Sequence, residues 1–231
     1  MKAYKGFDKN LKCRDFQYEI GKEYEEQEAS LCNKGFHACE YPLDVLSYYP
    51  PIENNRYCEV EIDDNGERQS EDTKVCGTKI KINAEIGIKG LISAVFKYVK
   101  ERCTSTKQGE NNTALNGGDY SALKGGYGSA LNGGYGSALN GGNYSALKGG
   151  NYSALNGGNY SALNGGKYSV VYGGEGAKVK AKKGSVLALQ YWVDGEFKGI
   201  KFKEVDGVKI KEDTYYTLVN GRFKEVKESE V

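Results

Sequence analysis

Histidine occurs once in 231 residues, so no site that needs two imidazoles can be assembled from one copy of the chain. No apolar run reaches the ~18 residues that a membrane-spanning helix requires. Neither a Gly-x-x-x-x-Gly-Lys-Ser/Thr phosphate loop nor a Gly-x-Ser-x-Gly nucleophile elbow is present, which removes two signatures of nucleotide and ester hydrolysis. Charge of one sign is missing as well. The 32 basic residues face 31 acidic ones, a net of +1, so neither nucleic acid nor an anionic membrane would be captured by electrostatics. The opening Met-Lys-Ala-Tyr-Lys-Gly lacks the apolar centre of an export signal, and the expectation is a soluble protein kept in the cytoplasm. Its cysteines, Cys13, Cys32, Cys39, Cys58, Cys76 and Cys103, are then expected to be reduced and mostly buried.

What is present is repetition. Six consecutive copies of Gly-Gly-x-x-Ser-Ala-Leu-(Asn/Lys) run from Gly117 to Asn164, and a seventh, Gly165 to Tyr172, ends in Ser-Val-Val-Tyr. Weaker copies at 109–116, 173–180 and 181–188 bring the array to ten. A short period makes every copy fold alike and stack on its neighbours. Eight is even, so a strand returns each copy to the same face. Leu123, Leu131, Leu139, Leu147, Leu155 and Leu163 form the expected core row, and Ser121, Ser129, Ser137, Ser145, Ser153 and Ser161 a second inward row. Each octad is expected to supply a strand of about five residues, with Asn-Gly-Gly bending the chain through positive φ. Two octads would close one flattened coil of about 16 residues, and ten would give about five coils rising ~4.8 Å each. A triangular coil of three octads competes, but Ser and Leu alone would not fill so wide an interior.

Tyrosine shifts within the octad. It is fourth in Tyr120, Tyr144, Tyr152, Tyr160 and Tyr168 but third in Tyr127 and Tyr135. A side chain that moves by one place does not fill a fixed core site, so these rings are expected as outward ladders near the turns. They shield the coil edges, and Tyr127, Tyr135, Tyr144, Tyr152, Tyr160 and Tyr168 are also candidates for binding a protein partner or a second copy of the chain. Within 117–172, Lys124, Lys148 and Lys167 stand against Asp119, which is neither an acidic stripe nor a phosphate-tracking groove.

Gly-Gly-Tyr-Gly-Ser-Ala-Leu-Asn, at 125–132 and 133–140, resembles the octads of bacterial ice-nucleation proteins and, more loosely, the Ser-x-Ala heads of trimeric adhesins. The resemblance implies a two-sided β-solenoid with Tyr and Ser ladders. The Thr-x-Thr pair of that family is replaced here, as in Ala130-Leu131-Asn132, so its ice-binding activity does not carry over. Calcium-binding β-rolls need nine-residue repeats, each with an Asp. This array has a period of eight and only Asp119, so no calcium is expected.

Before the repeat, residues 1–108 read as a small α+β head. Strands are expected at Lys2 to Phe7, Lys34 to Cys39, Arg56 to Ile62 and Lys79 to Ile82, an exposed turn at Glu23 to Glu28, and a short helix from Pro42 to Tyr49 stopped by Pro50-Pro51. Asn83 is the expected N-cap of a helix to about Arg102. Its stripe Ile88, Leu91, Ile92, Val95, Phe96 and Val99 would pack on the head sheet, and the helix would close the first coil.

Lys5-Gly-Phe, Cys13-Arg-Asp-Phe-Gln-Tyr-Glu-Ile-Gly-Lys and Gly35-Phe-His-Ala-Cys-Glu-Tyr-Pro-Leu-Asp-Val-Leu-Ser-Tyr-Tyr resemble the head of an uncharacterised family of small proteins from gut-type bacteria and their phages. Its members pair this head with Gly-Tyr-Ser-Ala repeats and a β-rich tail ending in Asp-Thr-Tyr-Tyr, here Asp213 to Tyr216. The resemblance implies a phage setting and a bacterial cytoplasm, and no assigned activity.

Three chemical readings of the head compete. Cys13, Cys32, His37 and Cys39 are candidate zinc ligands, although Cys-x4-His-x-Cys is not the usual paired-knuckle spacing. Lys5, His37, Glu59 and Glu61 follow an order that resembles ADP-ribosyltransferases, which implies NAD chemistry with a Glu polarising the ribose hydroxyl; Lys5 stands where that family has Arg or His. The third reading makes His37 and the thiols plain packing residues.

After the array, Val186 to Trp192, Gly199 to Val205, Tyr215 to Val219 and Arg222 to Val226 read as strands separated by Asp194-Gly195, Asp206-Gly207 and Asn220-Gly221 turns. Solenoid ends need covering, and a meander with Trp192 as plug would cap the last coil. The chain thus reads as mainly β: head 1–108, two-sided solenoid 109–180 and β cap 181–231. The leading functional expectation is a binding protein without enzymatic activity or cofactor, acting on a host protein, for example a defence system. The alternatives are the ADP-ribosyltransferase-like enzyme and a sponge for a nucleotide signal.

Overall fold

A computed structural model describes all residues except 52, 53, 64, 71 and 231. The chain divides into two compact units, Met1–Val95 and Phe96–Val231. In the first, β1 (Lys2–Phe7), β2 (Lys12–Cys13), β3 (Phe16–Gln17), β4 (Glu23–Glu25), β5 (Phe36–Cys39), β6 (Arg56–Ile62), β7 (Lys74–Gly77) and β8 (Lys79–Glu85) are followed by α1 (Gly87–Arg102), which leads into the second. Six strands make an antiparallel sheet in the order β4-β8-β6-β1-β5-β7, and β2 and β3 form a separate hairpin. Alternate residues Ala3, Phe7, Cys58, Val60, Ile62, Ile80 and Ile82 fill the sheet's inner face.

β1 and β6 keep their expected bounds, while several neighbours do not. Glu23–Glu25 is not turn but a strand, because its backbone pairs with Lys79–Lys81 of β8. Pro42–Ser47 winds as a 3-10 helix, tighter than the α-helix expected. Asn83 caps nothing. It lies inside β8, which stays bonded to β6 as far as the Cys58–Glu85 pair; Gly87, at φ 58°, then breaks the strand and α1 begins. Leu91, Ile92, Val95 and Val99 of the helical stripe are buried.

The second unit is a two-sided solenoid. β9 (Ser105–Gln108) precedes the octad strands β10 (Ala114–Asn116), β11 (Ser121–Lys124), β12 (Ala130–Asn132), β13 (Ala138–Asn140), β14 (Ala146–Lys148), β15 (Ala154–Gly157), β16 (Ala162–Asn164), β17 (Val170–Gly173) and β18 (Lys178–Lys180). These are three or four residues long, shorter than expected, because the broad turns take the remainder of each octad. Strands alternate between two parallel sheets, and Leu123 lies beside Leu139 while Leu131 lies beside Leu147, two octads further on. The core leucines from Leu123 to Leu163 are at most 2% exposed.

The serine row carries the polar side of this core. Ser137 N–H donates to Ser153 Oγ, Ser145 N–H to Ser161 Oγ and Ser153 N–H to Ser169 Oγ. Each hydroxyl in turn donates to a turn carbonyl one coil earlier, as Ser153 Oγ does to Gly134 O at 3.2 Å. The hydroxyls of Ser153, Ser161 and Ser169 are therefore satisfied in both directions.

The Gly-Gly pair works differently from expectation. Positive φ falls on the fourth position, occupied by Tyr or Gly, as in Tyr120, Gly128, Gly136 and Tyr144. The paired glycines serve close approach instead: a Cβ on Gly141 would lie 2.8 Å from Leu147, and one on Gly150 would lie 2.7 Å from the backbone of Gly134 in the neighbouring coil.

β19 (Val186–Val193) continues one sheet and turns at Asp194-Gly195 into β20 (Glu196–Glu204). β21 (Tyr215–Val219) adds antiparallel to β18, and Asn220-Gly221 leads into β22 (Arg222–Val226). The end is thus two hairpins, one per sheet, rather than one meander. Trp192 does not plug the core: it stays half-buried against Phe197, and Val205, Ile210 and Tyr216 join the leucine core instead.

Candidate functional site

The first unit contains a cavity of about 550 Å³, within the usual range for small-molecule sites. Its walls come from β1, the β2–β3 hairpin, β5, the 3-10 helix and β7. Local sequence shapes each wall. Gly6 has no side chain where a Cβ would sit 2.7 Å from the Tyr49 ring, so that ring lies flat against β1. Asp8 Oδ1 accepts the amides of Asn10 and Lys12, both at 2.8 Å, and this turn sets the hairpin that presents Arg14 at φ 54°. Asp44, buried in the 3-10 helix, accepts Thr73 N–H at 2.9 Å and Thr73 Oγ1 at 2.7 Å, tying that helix to the start of β7; burial raises its pKa despite both bonds.

One wall is aromatic. Phe16 meets Tyr18 at 4.8 Å and Tyr24 at 5.3 Å, and Tyr18 meets Phe36 at 6.3 Å. The opposite character comes from three cations. Lys5 is 6% exposed; its Nζ donates to His37 O at 2.8 Å, lies 3.6 Å from Cys13 Sγ and sits 5.6 Å from the Phe7 and Tyr18 ring centres. Arg14 donates to Cys32 O at 3.0 Å. Lys74 lies 3.0 Å from Cys32 Sγ and 4.5 Å over the Tyr48 ring. Among the described residues, none of the three forms an ion pair with a carboxylate, although Asp15 and Glu26 also line the cavity.

These charges register on their neighbour. His37 Nε2 lies 3.0 Å from the Cys32 amide, a bond it accepts when bare, and 3.2 Å from Ser30 O, a bond it makes as a donor. Burial first, then the charges of Lys5, Lys74 and Arg14, push the His37 pKa down to about 4, so the imidazole is neutral near pH 7. Burial likewise lowers the pKa of Lys5, with Lys74 adding to it and the nearby Cys13 and Cys39 opposing. Cys39, Cys58 and Cys76 are buried, Cys13 and Cys103 half-buried and Cys32 exposed, so burial of the thiols is less general than expected.

Lys5, Cys13, Cys32, His37 and Cys39 thus share one cavity. Among the described residues, no group of three or more His, Cys, Asp or Glu side chains is placed to hold a metal ion. Glu59 and Glu61 do not line the cavity; Glu59 pairs with Lys2 at 2.6 Å and Glu61 accepts from Asn83 at 3.2 Å. Sequence reading passed over Arg14, Phe16, Tyr18 and Lys74. The first three stand in the Cys13-to-Tyr18 run, whose charged turn between aromatics was a usable signal; Lys74 carried none.

The tyrosines form two ladders. Tyr120, Tyr135, Tyr152 and Tyr168 follow one another at 5.2 to 5.5 Å, and Tyr127, Tyr144 and Tyr160 at 5.3 Å. A ring from the third or fourth position reaches the same ladder, which explains the shift in sequence. Fourth-position tyrosines hold φ between 53° and 57°, and Tyr144 and Tyr160 are each 54% exposed.

The profile of a family described as a domain of unknown function (DUF7666) matches residues 1–94, close to the first compact unit and short of the octads. No curated protein and no solved structure matches the chain. Among the described residues, no helix is long and apolar enough to cross a membrane.

Proposed function

We propose that the head is a receptor for a small organic anion that carries a flat ring, and that the protein acts by binding. The observation behind this reading is that one cavity brings three basic side chains, Lys5, Arg14 and Lys74, none ion-paired among the described residues, beside an aromatic wall. Arg14 and Lys74 offer an incoming anion two charged donors, and the buried Lys5 Nζ adds a hydrogen-bond donor. Phe16 and Tyr18 offer faces on which a ring stacks. A nucleotide combines both features. In the phage-infected bacterial cytoplasm implied by the resemblance of the head, sequestering a nucleotide signal would be the outcome.

The test is calorimetry of the full chain against a panel of nucleotides and simple aryl phosphates. Binding should weaken by roughly 10- to 150-fold in Arg14→Gln or Lys74→Gln, the range for losing one charge-assisted hydrogen bond of about 1.5–3 kcal/mol. A panel with no binder would remove the reading.

A second reading assigns the ladders to a protein partner or a second copy of the chain. It is supported by five tyrosines held at positive φ in a position that Gly fills in neighbouring octads. Replacing Tyr144, Tyr152, Tyr160 and Tyr168 by Gly keeps the turn geometry. Unchanged light scattering and unchanged capture of a host protein would dispose of this reading.

A further inference from the structure

We infer that Lys5 is a nucleophilic amine that captures a carbonyl group on the occupant of the head cavity as an imine; this rests on the anion-binding reading above. Lysines on a protein surface are hydrated ammonium groups with no lone pair to offer. Lys5 is different in three respects. It is 6% exposed and lines a cavity of about 550 Å³. One of its hydrogens is committed to His37 O at 2.8 Å, which fixes the nitrogen while leaving a direction free. The charged groups that line the cavity with it are the Lys74 cation from β7, Arg14 and Asp15 from the hairpin, and Glu26, with the thiols of Cys13 and Cys39 and the neutral His37 completing its surroundings. Desolvation combined with a second cation is the arrangement that frees a lysine amine for addition to carbonyls. Burial does lower its pKa, in agreement with that geometry.

The step balances without a further reagent. The Nζ lone pair forms a bond to the carbonyl carbon, and the π pair moves to oxygen, which takes a proton to give a carbinolamine. Nitrogen gives up both of its protons in turn, the first matching the one already taken by the oxygen and the second passing to the hydroxyl; its lone pair then forms the C=N bond as the C–O bond breaks and water leaves, giving the neutral imine. Cys13, 3.6 Å from Nζ, is within reach to pass the proton. Arg14 and Lys74, which form no ion pair among the described residues, hold the anionic group of the same ligand. The chemical class is therefore an aldehyde or ketone that bears a ring and an anionic group.

Pyridoxal 5′-phosphate, an aromatic aldehyde with a phosphate, is a suitable probe. The full chain is incubated with it at equimolar concentration, reduced with borohydride and mapped by peptide mass spectrometry. Lys5 should be modified at least about tenfold faster than the mean exposed lysine, a barrier difference of about 1.4 kcal/mol. Phenyl phosphate, which has no carbonyl, should protect it. Lys5→Arg should lose the rapid labelling. Should that variant not fold, protection of the native chain gives the same answer. If Lys5 stays unlabelled while phenyl phosphate binds by calorimetry, the imine is refuted and the anion receptor stands. If phenyl phosphate does not bind either, both are refuted.

Discussion

Replacing Ala177 by Ser should stabilise the solenoid. In most octads the fifth position is Ser, and in Ser153, Ser161, Ser169 and Ser185 its hydroxyl accepts the amide of the Ser one coil earlier while donating to a turn carbonyl. At Ala177 the row is interrupted, so Ser161 N–H faces a methyl group where Ser145 N–H meets the Ser161 hydroxyl. By the same register a hydroxyl at 177 would also reach Gly158 O, as Ser161 Oγ reaches Gly142 O at 3.1 Å. The glycine four residues earlier packs against Ala177 Cβ as Gly141 does against that of Ser145, so the local backbone matches that around a serine of the row. One hydrogen bond contributes about 0.5–1.5 kcal/mol net, and satisfying a buried amide adds to it; freezing one hydroxyl subtracts little. A gain of about 1 kcal/mol is expected, which at a slope of about 1–3 kcal/mol per molar raises the urea midpoint by roughly 0.3–1 M.

Trp192, the only tryptophan, lies in β19 within this unit, so its fluorescence follows the right transition. Ser153→Ala is the reciprocal change and should lower stability by about 1–3 kcal/mol, because Ser137 N–H loses its acceptor. Gly134 O keeps the Gly150 amide, so only one group is orphaned. A midpoint that stays still or falls in Ala177→Ser would refute the energetic role given to the hydroxyl row. A neutral Ser153→Ala would refute it independently.

Gly150→Ala should prevent coils from closing, since the new Cβ would sit 2.7 Å from the Gly134 backbone, and circular dichroism would show loss of the solenoid transition. Leu139→Ala, at a site 1% exposed, should cost about 2–5 kcal/mol by denaturant titration. The single His37 gives one imidazole signal by NMR, which should titrate near pH 4 and shift upward when an anion binds. Because its native pKa lies below the ordinary value of 6.5, the unfolded chain binds more protons, so head stability falls as pH drops from about 6.5 to about 4 and levels off below.

The solenoid was legible because its information is local and repeated. The Leu and Ser faces follow from an even period alone. The errors there were of cause: glycines assigned to positive φ are needed for contact between coils, and the residue that adopts positive φ is often Tyr. The head was less legible. Lys5, Cys13, Cys32 and His37 were singled out for metal or NAD chemistry, yet the sheet order places β1 between β6 and β5, so they converge with Lys74, which no local motif marks. Glu59 and Glu61 do share a strand face, as alternation requires, but not one that lines the cavity. A cavity is made of residues distant in sequence, and periodicity carries no record of it.

The tyrosine ladders pose the question of what keeps a bulky ring at positive φ. For Tyr160 the backbone costs about 1–2 kcal/mol relative to the right-handed region. Its stacking on Tyr144, at 5.3 Å and 22°, returns about 0.5–1.5 kcal/mol. With 54% of the residue exposed, burial adds about 2 kcal/mol, of which ordering the ring consumes about half. The terms nearly cancel. Tyr160→Gly should therefore move stability by no more than about 1 kcal/mol, well short of the loss from Leu139→Ala. Gly136 and Gly128 already occupy this position in earlier octads, so the turn itself accepts the change. Such neutrality would mean that folding alone does not hold the rings in place, and that their exposed faces are what the octads present. A destabilisation as large as that of Leu139→Ala would instead make the ladder a structural staple and leave the surface reading without its motive.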